Sequence, residues 1–213
     1  MMENLPPLNF WFSTFGLVFA IIDPFGYVPI FLSMTAKDSQ ARRRQMLKKA
    51  CLTAGIVLGI FTLFGNSILG FFGISIPALQ ITGGLLLLVI GLEMLRVFPF
   101  GERLSPVETS EGADKEDISI IPLAIPMLSG PASIATVTVL AAEAQGPFDY
   151  LAILLSVVLT LFITFLTLCS AGRILKLLGV TGLNVVTRVM GLLLAAMAVQ
   201  FVIDGYGALG GLG

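Results

Sequence analysis

Two motifs constrain this chain most: Asp23-Pro24-Phe25-Gly26-Tyr27-Val28-Pro29 and Ile125-Pro126-Met127-Leu128-Ser129-Gly130-Pro131, each with two prolines five residues apart and a glycine between them, inside apolar sequence. Proline removes a backbone donor and clashes with the preceding turn, and the polar groups it frees cannot stay unsatisfied in hydrocarbon. Such breaks persist in a membrane helix only where protein, water or a ligand meets them. Interrupted apolar segments at matching places in two halves of a chain are the strongest sequence pointer to a carrier's binding site.

The membrane setting follows from composition. Of 213 residues, 56% are hydrophobic and 12% charged. No Lys, Arg, Asp or Glu falls between Cys51 and Leu92, Ile118 and Ala142, or Leu151 and Gly172. Each run holds at least one span of about 20 residues, enough to cross a bilayer. The apolar pattern predicts six helices, near Phe10–Met34, Ala50–Phe72, Pro77–Val97, Ile118–Leu140, Leu151–Leu177 and Val185–Ile203. The expected fold is therefore an all-α polytopic membrane protein, with the first and fourth of its six transmembrane helices broken near mid-membrane.

The basic residues give direction. Lys37, Arg42, Arg43, Arg44, Lys48 and Lys49 follow the first span; Arg96, Arg103 and Lys115 lie between the third and fourth; Arg173, Lys176 and Arg188 surround the link between the fifth and sixth. The alternate loops and both termini carry none, so the positive-inside rule predicts cytoplasmic basic loops and both termini outside a plasma (inner) membrane. The N-terminal Met1–Pro7 has no basic region or small-residue cleavage site and does not read as a signal peptide. Cys51 and Cys169 read as free apolar thiols, and the lack of histidine excludes a His-based triad, a His proton relay and the common zinc sites.

The halves repeat. Pro24 and Pro29 match Pro126 and Pro131, Gly84-Leu85-Leu86-Leu87 matches Gly191-Leu192-Leu193-Leu194, Glu93 matches Gln200, and Gly73-Ile74-Ser75 resembles Gly179-Val180-Thr181. Residues 1–98 form one three-helix repeat and 118–213 the other, joined by an acidic, Pro- and Gly-punctuated cytoplasmic linker at 99–117 that reads as a solvated connector. Three spans per unit is an odd number, so the repeat is expected to be inverted. Two copies in opposite orientations can exchange conformations, the mechanical basis of alternating access.

Each break can restart a helix. Asp23 before Pro24, and Gly130 before Pro131, fit an N-cap followed by proline at the first helical position. Amides at such a start suit a carboxylate, and carbonyls left free upstream suit an ammonium, so a small zwitterion matches both ends. The candidate substrate-binding residues are Asp23, Pro24, Phe25, Gly26, Pro29, Pro126, Ser129, Gly130, Pro131, Ala132, Ser133 and Thr136, a small lining that disfavours bulky side chains. Asp23 has three readings: ammonium partner, proton carrier, or helix cap. Glu93 is a second candidate for ion coupling, or a partner of Arg96 or Arg188. Asn66, Gln80 and Thr82 line a cavity or bond between helices, and Gly83, Gly84 and Gly191 suit packing within a protomer or between protomers of a homo-oligomer.

At these residues the chain resembles the MarC/SnatA family of bacterial and archaeal six-helix inner-membrane proteins over nearly its whole length. Asp-Pro-Phe-Gly-Tyr-Val-Pro-Ile-Phe-Leu at 23–32 is similar to the family's Asn/Asp-Pro-x-Gly-x-x-Pro-x-Phe element, and Pro122–Pro126 through Ser129-Gly130-Pro131 to its second-half counterpart. Gly73–Ile76 and Thr187–Leu193 also resemble family segments. The resemblance implies transport of small neutral amino acids such as glycine and alanine, an activity assigned to some members. Two departures bear on this. Many members have Asn at the Asp23 position, so a carboxylate there is not the family's universal coupling device. Ser129-Gly130-Pro131-Ala132 stands where Ala-Gly-Pro-Gly is common, adding a hydroxyl and a methyl.

The function expected is a secondary carrier, with no cofactor or metal and a proton or sodium gradient as drive, since no Gly-Lys-Ser/Thr nucleotide motif is present. The alternative is a channel or passive pore for small polar solutes. An enzyme is disfavoured because aspartyl chemistry needs two close carboxylates and only Asp23 is at mid-depth. Nucleic acid is not an expected partner.

Overall fold

The first apolar segment is a helix in two pieces. In the computed structural model, which describes residues 8–95 and 128–210, α1 (Leu8–Ile22) stops at Asp23 and α2 (Tyr27–Met34) resumes after a turn at Pro24-Phe25-Gly26. Pro24 cannot donate to the turn behind it, and Asp23 sits at φ 43°, the left-handed region that Asp and Asn tolerate better than other side chains. Asp23 is the sole non-glycine with positive φ among the described residues.

The remaining elements are α3 (Gln40–Phe71), α4 (Ile76–Leu95), α5 (Pro131–Glu143), α6 (Pro147–Cys169) and α7 (Ala171–Gly210). The α1–α2 segment taken together, α3, α4, α6 and α7 are each long and apolar enough to cross a membrane, while α5 is a shorter apolar helix of 13 residues. The expected fourth span is thus described from its break onward, and the linker at 99–117, with Pro126 and the rest of 118–127, lies outside the described residues.

Three helix ends differ from the sequence expectation. α3 begins at Gln40, ten residues before the apolar run, because the Ser39 hydroxyl accepts from the Arg42 amide and caps a basic but helix-compatible first stretch. The fifth span ends at Cys169 instead of Leu177. Ser170 interrupts the helix, and its carbonyl at once accepts from Arg173 and Ile174 to start α7. The sixth helical stretch also runs longer than expected, from Ala171 to Gly210, but in two pieces that meet at a kink at Gly179, whose φ 65° and ψ 177° are not helical.

Gly73 and Gly179, paired by the sequence repeat, both have positive φ, 68° and 65°. At Gly73 the reason is visible: Ile74 N–H donates to the Leu69 carbonyl and Gly73 N–H to that of Gly70, a Schellman closure of α3 that wants glycine. Ser75 then accepts from the Ala78 amide to start α4.

The packing is inside-out relative to a water-soluble bundle. Leu52, Ile56, Phe64, Leu155, Val158 and Phe162 are exposed, whereas Thr62, Thr136, Ser156, Thr160 and Thr164 are buried. Lipid offers apolar side chains no penalty, so interhelical hydrogen bonds and close approach of small residues organise the interior instead. α4 and α7 lie against each other along much of their length. A β-carbon on Gly191 would come within 2.6 Å of the Met94 Cβ, and one on Gly91 within 2.9 Å of the Gly191 carbonyl oxygen. These glycines therefore pack within one chain. α5 is enclosed by α1, α3, α4 and α6, and from Ala132 to Ala141 only Ile134 is less than fully buried.

Candidate functional site

The first break closes on itself. Asp23 N–H donates to the Phe19 carbonyl, finishing α1, while its carboxylate Oδ1 accepts from the Gly26 amide at 3.2 Å, capping the turn that leads into α2. Asp23 is 2% exposed, so one side chain satisfies the restart in a buried place. The N-cap of α2 is Gly26 and not Asp23, so Pro24 lies in the turn instead of at the first helical position, and the Asp23 carboxylate supports the restart only through the Gly26 amide. The far end of α2 is closed by Arg43, whose Nε and Nη2 donate to the Thr35 carbonyl at 3.0 and 2.6 Å, a cation on a helix C-terminus.

The second break is built differently. Gly130 is extended (φ −71°, ψ 173°), Pro131 occupies the first helical position, and Ile134 N–H donates to the Gly130 carbonyl as the first bond of α5. Gly130, at the N-cap, has no side chain with which to cap it. Ser129, Ala132 and Ser133 are buried with it. One turn into α5, the Thr136 hydroxyl is buried without a hydrogen-bond partner. An unmade bond of this kind costs about 1–3 kcal/mol.

The two breaks meet. Ile21 and Ile22, the last residues of α1, share a crevice of about 170 Å³ with Ser133, Thr136 and Val137 of α5, completed by Val18 and Leu58, and it is too tight to admit water. Leu128, just upstream of the second break, belongs to the same buried apolar cluster as Ile22 and Val28 on either side of the first. Lipid does not separate the interruptions.

Of the residues singled out in sequence, Ser133 and Thr136 line the crevice, and Asp23, Pro24, Gly26, Ser129, Gly130 and Ala132 are buried around it. Phe25 is half-buried, its ring edge-on to Phe19 at 6.4 Å. Pro29 and Pro131 are exposed and do not line the crevice; Pro131 is the first residue of α5, whereas α2 has already begun at Tyr27, two residues before Pro29. Pro126 lies outside the described residues. Glu93 is half-buried on the last turn of α4, a helix that packs mainly on α7 and α5. Gln80 bonds between helices, donating to Glu143 at 3.3 Å, and Thr82 donates to the Ala78 carbonyl of its own helix.

Sequence reasoning missed a stripe on α6. Ser156, Thr160 and Thr164 recur every fourth residue and face inward, while Leu155, Val158, Leu159 and Phe162 face out. Thr164 donates to the Thr160 carbonyl, but the Thr160 hydroxyl itself has no partner, and neither has that of Thr14 on α1. The signal was available as helical periodicity of hydroxyls within an uncharged span. With Thr136, three mutually packed helices each bury one unpartnered hydroxyl.

Fold and site together define a multi-pass helical membrane protein organised around an interrupted helix and an uncapped half-helix. Residues 8–209 match the MarC family integral membrane proteins, and the chain belongs to that family. It is 40% identical over 201 residues to the UPF0056 membrane protein MJ1677 of Methanocaldococcus jannaschii, covering 93% of this chain and 96% of that protein. It is 36% identical over 195 residues to the UPF0056 membrane protein YvbG of Bacillus subtilis, covering 91% and 92%. An Aquifex aeolicus UPF0056 membrane protein is 34% identical over 203 residues, covering 92% and 95%. No solved structure matches the chain.

Proposed function

We infer that the protein is a secondary transporter of small neutral amino acids of the glycine and alanine type, working by alternating access and driven by a proton or sodium gradient. One observation carries this reading: the first turn of α5, with Gly130 and Ser133 buried, packs beside the end of α1, and the unpartnered Thr136 hydroxyl lies in the same crevice. Amides at a helix start in a dry setting favour a carboxylate, and the Thr136 hydroxyl supplies a further polar contact. The crevice is closed in this conformation, as an occluded state of a carrier would be. The positive φ at both Gly73 and Gly179 supports two related three-helix units in opposite orientations. In this reading the protein is not an enzyme and uses no cofactor, its basic loops face the cytoplasm, and both termini lie outside the plasma membrane.

Proteoliposome uptake of labelled glycine and alanine, under imposed proton and sodium gradients, tests the proposal. Saturable uptake with counterflow is the expected result. Flux that neither saturates nor shows counterflow would make the protein a pore, and no flux of any small amino acid would remove the reading.

A further inference from the structure

A second polar site lies at the other extreme of depth. Between the start of α3 and the junction of α6 with α7 is a cleft of 780 Å³ lined by Arg43, Arg44, Lys48, Arg173 and Lys176. The cations come from segments over a hundred residues apart in sequence, so folding brings together charges that repel one another. No carboxylate is among the cleft's lining residues as described. The acid nearest in sequence, Asp38, pairs instead with Arg42 at 3.3 Å, and Arg42 does not line the cleft. Arg43 is held in place by its two bonds to the Thr35 carbonyl. The side chains of Arg44, Lys48, Arg173 and Lys176 are exposed and form no hydrogen bond or ion pair among the described residues.

A charge rule for topology asks only that cations lie on one side of the membrane; it does not ask them to converge on one cavity. Such a cleft calls for a multivalent anion, and phosphate oxygens suit guanidinium and ammonium donors. The remaining wall says which phosphate. Phe165 and Leu166 line the same cleft, and Leu166 is 48% exposed on the apolar outer surface of α6. A bound group can therefore hold its phosphate among the cations and lay a hydrocarbon chain along α6.

We propose that this cleft is a binding site for the headgroup of an anionic phospholipid. Basic pockets between membrane helices at the headgroup level are suited to this, with each well-placed Lys or Arg adding roughly fivefold to affinity. The site is independent of the transport reading, and it ties α3 of the first three-helix unit to the α6–α7 junction of the second.

The full-length protein in detergent, titrated with phosphatidylglycerol or phosphatidylcholine and read by native mass spectrometry, tests it. Phosphatidylglycerol should be retained over phosphatidylcholine. Lys48→Gln combined with Arg173→Gln should weaken its binding by about tenfold or more. Arg44→Gln combined with Lys176→Gln should do the same, so that misfolding of one pair does not decide the outcome. Lys37→Gln, an exposed cation outside the cleft, should change it by less than about twofold. Equal retention of the two lipids, or an equal loss with Lys37→Gln, would overturn the site. Displacement of the lipid by inorganic phosphate at sub-millimolar concentration would overturn the lipid assignment and make the ligand a soluble phosphate.

Discussion

The two breaks share a proline spacing and little else. At the first, the Asp23 side chain turns the backbone through a left-handed position and bonds the Gly26 amide, so nothing from outside is needed. At the second, Gly130 brings no side chain, Pro131 brings no N–H, and the Thr136 hydroxyl further along α5 is buried and unpartnered. A finished break is a hinge or a wall. An unfinished one, in the same low-dielectric crevice, is where a ligand gains most by binding, because polar groups already stripped of water cost nothing further to desolvate.

This contrast can be broken by substitution, and the largest effect is expected at the second break. Gly130→Leu should abolish uptake and binding of glycine, since φ −71° is open to any side chain and a bulky one at this buried position fills the space of close approach; Gly130→Ala, the smaller change, should weaken both and leave the protein monodisperse in detergent. Persistent binding would place the ligand elsewhere. At the first break, Asp23→Ala should act on stability: loss of the cap and of a residue tolerant of left-handed φ should cost about 2 kcal/mol, read as a lower thermal midpoint. A midpoint equal to that of the parent would show that the turn does not depend on this carboxylate.

Thr136→Val separates the roles more finely. Removing a buried hydroxyl that has no partner, at nearly constant volume, should raise stability by up to about 1 kcal/mol and yet weaken substrate binding. A loss of stability would mean that the hydroxyl has a structural partner, and unchanged binding would take it out of the site. The smallest effect is expected from Asp23→Asn, because asparagine caps and tolerates left-handed φ about as well as aspartate, within about 0.5 kcal/mol. Its uptake should keep the parent's pH profile. A flattened profile would give Asp23 proton carriage in addition to its cap.

Much of this was readable in the chain. The positions of the first break and of the start of α5 followed from Pro24 and Pro131, whose chemistry acts locally wherever they stand. Gly73 and Gly179 were paired by sequence, and both take the positive φ that glycine allows. Helix lengths were read less well, because apolar content marks where a segment enters lipid and not where its hydrogen bonding begins. α3 therefore starts at Gln40 in water-compatible sequence, and α6 yields to α7 at Ser170 within an apolar run.

The sequence alone decided that this protein spans a membrane in helices and where two of those helices are interrupted, since hydropathy and proline geometry are properties of short stretches. Only the tertiary structure decided that the interruptions adjoin, that one is closed and the other is not, that Gly91 and Gly191 seat α4 on α7 within one chain, and that distant basic segments share a cleft. Each of these depends on which helix faces which. In lipid, that is set by small residues and hydrogen bonds spread over the whole chain, not by any one segment of it.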